Sequence, residues 1–160
     1  MSRLKNGQTF PNLDIKTVGG GALQIPQALR GSFAVVLFNR GAWCPYCQAQ
    51  LAGFQRASAR LAEAGVKVVS LSVDDEATTK GTIEKFKLTF PVGHSADADQ
   101  VAALTGAYIN DSPRYLQSTG FVLAPDGKFL NAVYSSGPLG RLVAEDVIGM
   151  VNYIKSKAAA

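Results

Sequence analysis

Cys44 and Cys47 are the only cysteines of this 160-residue chain, and they stand three positions apart in the stretch "RGAWCPYCQAQL" from Arg40 to Leu51. That spacing lets one sulfur attack whatever the other has formed and close a small disulfide ring. Pro45 suits the first position of a helix, where its missing N–H costs nothing. Cys44 then falls at the N-cap and Cys47 in the first turn, where unpaired backbone N–H groups and the positive end of the helix dipole favour a thiolate. A thiol so placed has its pKa lowered from about 8.5 into a range of roughly 3.5–7.5. Arg40, four residues before Cys44, adds a positive charge close in sequence.

The two sulfurs are not expected to be equivalent. Cys47, Leu51, Phe54, Ser58 and Leu61 step by four, three, four and three, which is one face of a helix. That face should pack on a sheet, leaving Cys47 covered and Cys44 exposed at the tip, with Trp43 as an apolar wall. Two alternatives are weaker. Buried core cysteines need neither the proline nor the preceding strand. A structural zinc site needs four ligands, and the chain adds only His94, far along the sequence, so zinc would have to be shared across a dimer. Neither a metal nor another cofactor is expected.

The elements that must carry the pair are legible. "SFAVVLF" (Ser32 to Phe38) and "VKVVSLSV" (Val66 to Val73) are near-continuous apolar runs, as in strands buried on both faces. Between them the helical pattern runs to about Ala64 and closes at Gly65. Strand, helix, strand is a βαβ unit, with parallel strands and a right-handed crossover. Upstream, "LDIKTV" and "ALQI" flank Gly19, Gly20 and Gly21 and predict a hairpin. Downstream, a polar helix is expected over Glu76 to Lys87, a short one near Asp99 to Leu104, and an antiparallel hairpin from "GFVLAP" and "FLNAVY". A last helix is predicted from about Leu139 to Lys155, with Val143, Val147, Val151 and Ile154 on its apolar face. This order predicts an α/β, thioredoxin-like fold: one domain over residues 1–160, with a central mixed sheet flanked by helices. The first hairpin and the segment from Glu76 to Leu104 are additions to the minimal version of that fold.

Composition sets outer bounds. Hydrophobic residues make up 47% and charged residues 18%, the balance of an ordinary globular chain. The net charge of +4 is scattered, without the basic runs or interleaved aromatics that nucleic-acid binding needs. "MSRLKNGQTFPNLD" has no apolar core of a secretory signal, and no stretch reaches 18 uninterrupted apolar residues. A cytoplasmic protein without nucleic-acid or membrane partners is the expectation.

Beyond local chemistry, the chain resembles the peroxiredoxin (AhpC/TSA) family in successive blocks. These are "GQTFPNLDI", "VVLFNRGAWCPYCQAQLAGF", "VVSLSVDDEATTKGTIEKF", "LTFPVGHSADADQVAALTGAY" and "GFVLAPDGK". The resemblance implies a thioredoxin-like domain that reduces hydroperoxides through a cysteine thiolate, and it makes the additions a peroxiredoxin-type insertion. It also implies a site motif from which this chain departs. Where that family carries Pro-x-x-x-Thr-x-x-Cys, Cys47 falls on the peroxidatic cysteine, Cys44 on the Thr and Arg40 on the Pro. The family's second arginine would fall near Gln117 or Ser118, and the nearest arginine is Arg114. The tetrapeptide "CPYC" is instead similar to that of dithiol glutaredoxins, and "WC-x-x-C" to thioredoxins, families in which Cys44 would attack and Cys47 resolve. Their cis-proline has no counterpart here, since Ser118 and Thr119 stand in its place.

Three functions therefore remain open on the residues. The first is reduction of a hydroperoxide, with the Cys44–Cys47 disulfide re-reduced by a thioredoxin- or glutathione-type donor. The second is thiol–disulfide exchange, and the third a redox-sensing binding module without catalysis. A homodimer is compatible with any of them. Access and cap position favour Cys44 as the more reactive thiol, whereas family alignment favours Cys47.

Overall fold

Strand β3 (Phe33–Phe38) is apolar throughout because both its faces are covered. Val36 and Phe38 belong to one buried cluster, Val35 and Leu37 to the other. The computed structural model describes residues 3–159 and builds seven strands into one mixed sheet around β3. Strand β4 (Val66–Leu71) lies parallel to β3, with Phe33 opposite Val66 and Phe38 opposite Leu71. Helices α1 (Pro45–Arg56) and α2 (Ser58–Glu63) make the connection, so the βαβ unit around the cysteines is present. The predicted single helix is broken at Ala57, which has no helical ψ (φ −90°, ψ 7°), although neither proline nor glycine stands there.

The inserted segment extends the sheet. Helix α3 (Glu76–Phe86) leads to β5 (Val92–His94), which pairs parallel with β4. The N-terminal hairpin, β1 (Leu13–Thr17) and β2 (Ala22–Ile25), attaches antiparallel to β5. After helix α4 (Ala98–Thr105), two short strands, β6 (Ile109–Asn110) and β7 (Tyr115–Leu116), pair with each other. The sequence pattern did not reveal them. The second hairpin, β8 (Thr119–Leu123) and β9 (Phe129–Tyr134), docks antiparallel on the other side of β3. The strand order is β2-β1-β5-β4-β3-β8-β9.

Helix α5 (Ala144–Ala159) starts five residues later than predicted. Val147 and Val151 are buried as their spacing requires, but Val143 is 47% exposed because it precedes the helix. The residues before it, from Ser135 to Val143, are irregular, and this places Arg141 outside any helix. Helices α1, α2 and α5 cover one face of the sheet through Leu51, Phe54, Leu61, Val147 and Val151. On the other face Phe121 packs its ring against Phe10 and Phe38 at centroid distances of 5.2 and 5.4 Å, beside Val101 of α4. No helix among the described residues is long and apolar enough to cross a membrane.

Gly93 shows how tightly β5 is held between its neighbours. A Cβ there would collide with Ile15 of β1 and meet Leu71 Cδ1 of β4 at 2.9 Å. Gly93→Ala should therefore destabilise the fold by about 1–3 kcal/mol through overpacking. Urea unfolding would show this as a lower midpoint at unchanged slope, and an unchanged midpoint would mean that β5 is loosely seated.

Candidate active site

Strand β3 ends at Phe38, and the chain then turns through Asn39–Ala42 into α1. Two contacts fix that turn. Asn39 N–H donates to Leu71 O at 2.8 Å, and Ala42 N–H donates to Asp74 Oδ2 at 2.9 Å. Gly41 is needed because a Cβ would fall into the Trp43 indole, 2.9 Å from Cδ1. Cys44 occupies the N-cap with extended backbone (φ −89°, ψ 111°), and Pro45 is the first helical residue. The Cys44 sulfur accepts the backbone N–H of Cys47 at 3.2 Å, so it caps the helix as a serine hydroxyl would.

Two guanidinium groups converge on the sulfurs. Arg141 Nη2 lies 3.1 Å from Cys47 Sγ and 3.6 Å from Cys44 Sγ. Its Nη1 donates to Gln50 Oε1 at 2.8 Å and its Nε to Pro138 O at 2.7 Å, which fix the plane of the group. Gln50, on the buried side of α1, is itself held by donating to Leu142 O at 2.8 Å. Arg40 Nη1 lies 3.7 Å from Cys44 Sγ. Its Nη2 donates to Tyr115 Oη at 3.0 Å, its Nε to Gln117 Oε1 at 2.9 Å, and its backbone N–H to Cys47 Sγ at 3.3 Å. The Arg40 guanidinium also lies 5.0 Å from the Trp43 ring centroid and 5.2 Å from that of Tyr115, and the two rings meet edge-on at 4.9 Å. Tyr115 of β7 and Gln117 just after it thus present the partners that aim Arg40.

One expectation is corrected here. Cys44 is not the exposed thiol: Cys44 and Cys47 are 0% and 1% exposed. The N-cap position alone suggested a sulfur open to solvent, but the guanidiniums drawn to it occupy that space. Trp43, expected as a wall, is 57% exposed and lies over Arg40 instead. Arg114 is not at the site, since it binds Asp99 and Asp111. His94 is on β5, with Nδ1 2.8 Å from Ser95 Oγ and Nε2 3.9 Å from Glu76 Oε2. The sequence reading missed Arg141. The cue available was a Gly-Arg pair in a short segment just before an amphipathic helix, and extending α5 back to Leu139 hid it.

The electrostatics separate the thiols although exposure does not. Burial pushes the Cys44 thiol up, but hydrogen bonds from Cys47 and Arg40 and the charge of Arg141 outweigh it and leave Cys44 below the ordinary thiol range. Burial pushes Cys47 up as well, and its hydrogen bond to Cys44 adds to this. The Arg40 N–H and Arg141 oppose both, yet Cys47 stays above that range. The pair should therefore ionise in two separate steps. In a titration followed by thiolate absorbance, the reduced protein should gain one thiolate below the ordinary thiol range and the second only above it. Two thiols titrating together near the ordinary value would contradict this charge distribution.

Comparison with known proteins agrees with the fold. Residues 6–130 match the AhpC/TSA family, and the chain belongs to that family. A peroxiredoxin of Treponema denticola is 28% identical over 149 residues, covering 88% of this chain and 69% of the relative. A peroxiredoxin of Chlorobaculum tepidum is 27% identical over 145 residues, covering 87% and 67%. Among solved structures, the peroxidoxin BcpB of Mycobacterium tuberculosis superposes with a TM-score of 0.81 at 20% identity, over 95% of this chain and 99% of its own. A cysteine-to-serine mutant of the peroxiredoxin 6 of Arenicola marina gives 0.82 at 18% identity, over 97% and 75%. These likenesses support the thioredoxin-like architecture.

Proposed function

We propose that this AhpC/TSA-family chain is a thiol peroxidase in which Cys44 attacks the peroxide and Cys47 resolves the product as an intramolecular disulfide. The observation that carries the reading is the convergence of Arg40 and Arg141 on the sulfur that caps α1. A thiolate is the nucleophile in peroxide cleavage, and both cations favour that form of Cys44.

In the first step the Cys44 thiolate attacks one oxygen of the O–O bond and the bond breaks. Cys44 becomes a sulfenic acid, and the other oxygen leaves as alkoxide or hydroxide and takes a proton to give alcohol or water. The guanidinium of Arg141 can stabilise charge on the leaving oxygen, because Gln50 and Pro138 hold it in place before the reaction. In the second step the Cys47 sulfur displaces hydroxide from Cys44. A thioredoxin- or glutathione-type donor then supplies two electrons and restores the dithiol.

Burial of both sulfurs favours a peroxide over a protein disulfide as oxidant. A peroxide needs less room at the sulfurs than a protein disulfide does, and a protein donor would have to reach them in the oxidised form. Beside Arg141 lies a groove of ≈490 Å³, lined by Tyr46, Gln50, Phe54, Arg56, Leu142 and Val143, that offers room for the apolar part of an organic hydroperoxide. The test is peroxide consumption with thioredoxin or glutathione as electron donor, using hydrogen peroxide and an organic hydroperoxide. Stoichiometric consumption supports the reading. Disulfide exchange without peroxide consumption would replace it with the glutaredoxin-like alternative suggested by "CPYC".

A further inference from the structure

The proposed chemistry leaves Cys47 with a difficulty. It must lose its proton to attack Cys44, yet its surroundings hold it in the thiol form. Neither Arg141 nor Arg40 lines the cavity that adjoins Cys47 between the ends of β3 and β4 and the start of α3. That cavity measures ≈20 Å³, and its polar lining includes Asn39, Ser72, Asp74 and Thr79. A single water needs about 10–15 Å³ and two to four polar partners.

Its walls carry an independent mark. Among the described residues, Asn39 Oδ1 and Thr79 Oγ1 are the buried side-chain oxygens without a hydrogen-bond partner. Asn39 is 4% and Thr79 2% exposed. Buried polar atoms are almost always satisfied, and an orphan bears the full cost of desolvation. Two such residues on one water-sized cavity point to a single shared partner. Asp74 lines the same cavity while its Oδ2 accepts from Ala42 N–H, so it also holds the turn that leads to Cys44.

We propose that this cavity holds one ordered water, bound by Asn39 and Thr79, that carries the proton of the Cys47 thiol to the Asp74 carboxylate during resolution. The proposal rests on the reading that Cys44 attacks and Cys47 resolves. The step balances. The thiol proton passes through the water to Asp74, the Cys47 sulfur forms the S–S bond with Cys44, and the S–O bond of the sulfenic acid breaks. The departing hydroxide is protonated by solvent, to which Asp74 then returns its proton. Burial, reinforced by the neighbouring charge of Asp75, holds the Asp74 carboxyl above the usual range against hydrogen bonds from Ala42 and Ser72, which makes it a better proton acceptor. The other titratable or charged groups around the relay are Cys44 at the N-cap of α1, Arg40 after β3 and Arg141 before α5. His94 on β5 acts on Asp75.

Stopped-flow mixing of the reduced chain with hydrogen peroxide, read by Trp43 fluorescence, should separate a peroxide-dependent phase from a peroxide-independent closure. Asp74→Asn keeps an acceptor for Ala42 N–H and removes the base. Closure at neutral pH should slow by roughly 10–100-fold and rise with pH along the ionisation of Cys47 alone. The peroxide-dependent phase reports whether the turn is intact. Wild-type closure should slow about twofold or more in heavy water, and Thr79→Val, which removes one partner of the water, should slow it several-fold. Asp74→Asn closing at the wild-type rate, or wild-type closure without a solvent isotope effect, overturns the relay. If Asp74→Asn disturbs the turn, the isotope effect and Thr79→Val decide. A Cys44→Ser variant that still reacts in the first phase removes the underlying reading, and the relay with it.

Discussion

Serine in place of Cys44 should abolish peroxide consumption, lowering the rate by ~10³-fold or more, because in the proposed mechanism Cys44 supplies the nucleophile. Cys47→Ser should behave differently. Cys44 in that variant keeps Arg40 and Arg141 beside it, so the first equivalent of peroxide is still consumed. Turnover then stops at the sulfenic acid, which oxidises further when peroxide is in excess. The contrast matters because the residues alone support two opposed assignments of the nucleophile. Alignment with the family motif puts it at Cys47, and cap position puts it at Cys44. The structure removes exposure as an argument, since both sulfurs are buried. Charge supports the assignment proposed above, with Cys44 held below and Cys47 above the ordinary thiol range. Rapid peroxide consumption by Cys44→Ser, with Cys47→Ser inert, would reverse the assignment.

Arg141→Met should cost about 100-fold in the second-order rate with peroxide, the scale of losing one preorganised donor at a developing oxyanion. Methionine fills similar apolar space without charge, so circular dichroism should be unchanged. The Cys44 ionisation should move up, since Arg141's charge is among the influences that hold it down. Arg141→Lys should recover the activity only in part. A lysine supplies charge but cannot contact Cys44, Cys47, Gln50 and Pro138 together as the planar guanidinium does. A rate near wild type in Arg141→Met would mean that Arg40 alone serves the thiolate.

How much of this was readable follows from where each interaction sits in the chain. β3 and β4 were legible because burial on both faces demands near-continuous apolar runs, and the cap of α1 because Cys44, Pro45 and Cys47 are local to it. The two glycine-marked hairpins followed from turn chemistry. The burial of Cys44 was not readable. It depends on Arg141, 97 positions away, and on how Tyr115 and Gln117 turn Arg40 inward. The family pattern directed attention to an arginine near Gln117, where the structure has only the acceptor that aims Arg40. The positive charge it would have supplied comes from Arg40 and Arg141. The cavity behind Cys47 was equally hidden, since its walls come from the ends of three strands and from two helices. Strands β6 and β7 were missed because two residues each are too few to show a period.

Mass spectrometry of the reduced wild-type chain after one equivalent of hydrogen peroxide tests the central claim most directly. The account predicts a monomer lighter by two hydrogens, with Cys44 and Cys47 recovered in one intrachain disulfide. A disulfide-linked dimer, or a monomer carrying added oxygen with no intrachain bond, would contradict it.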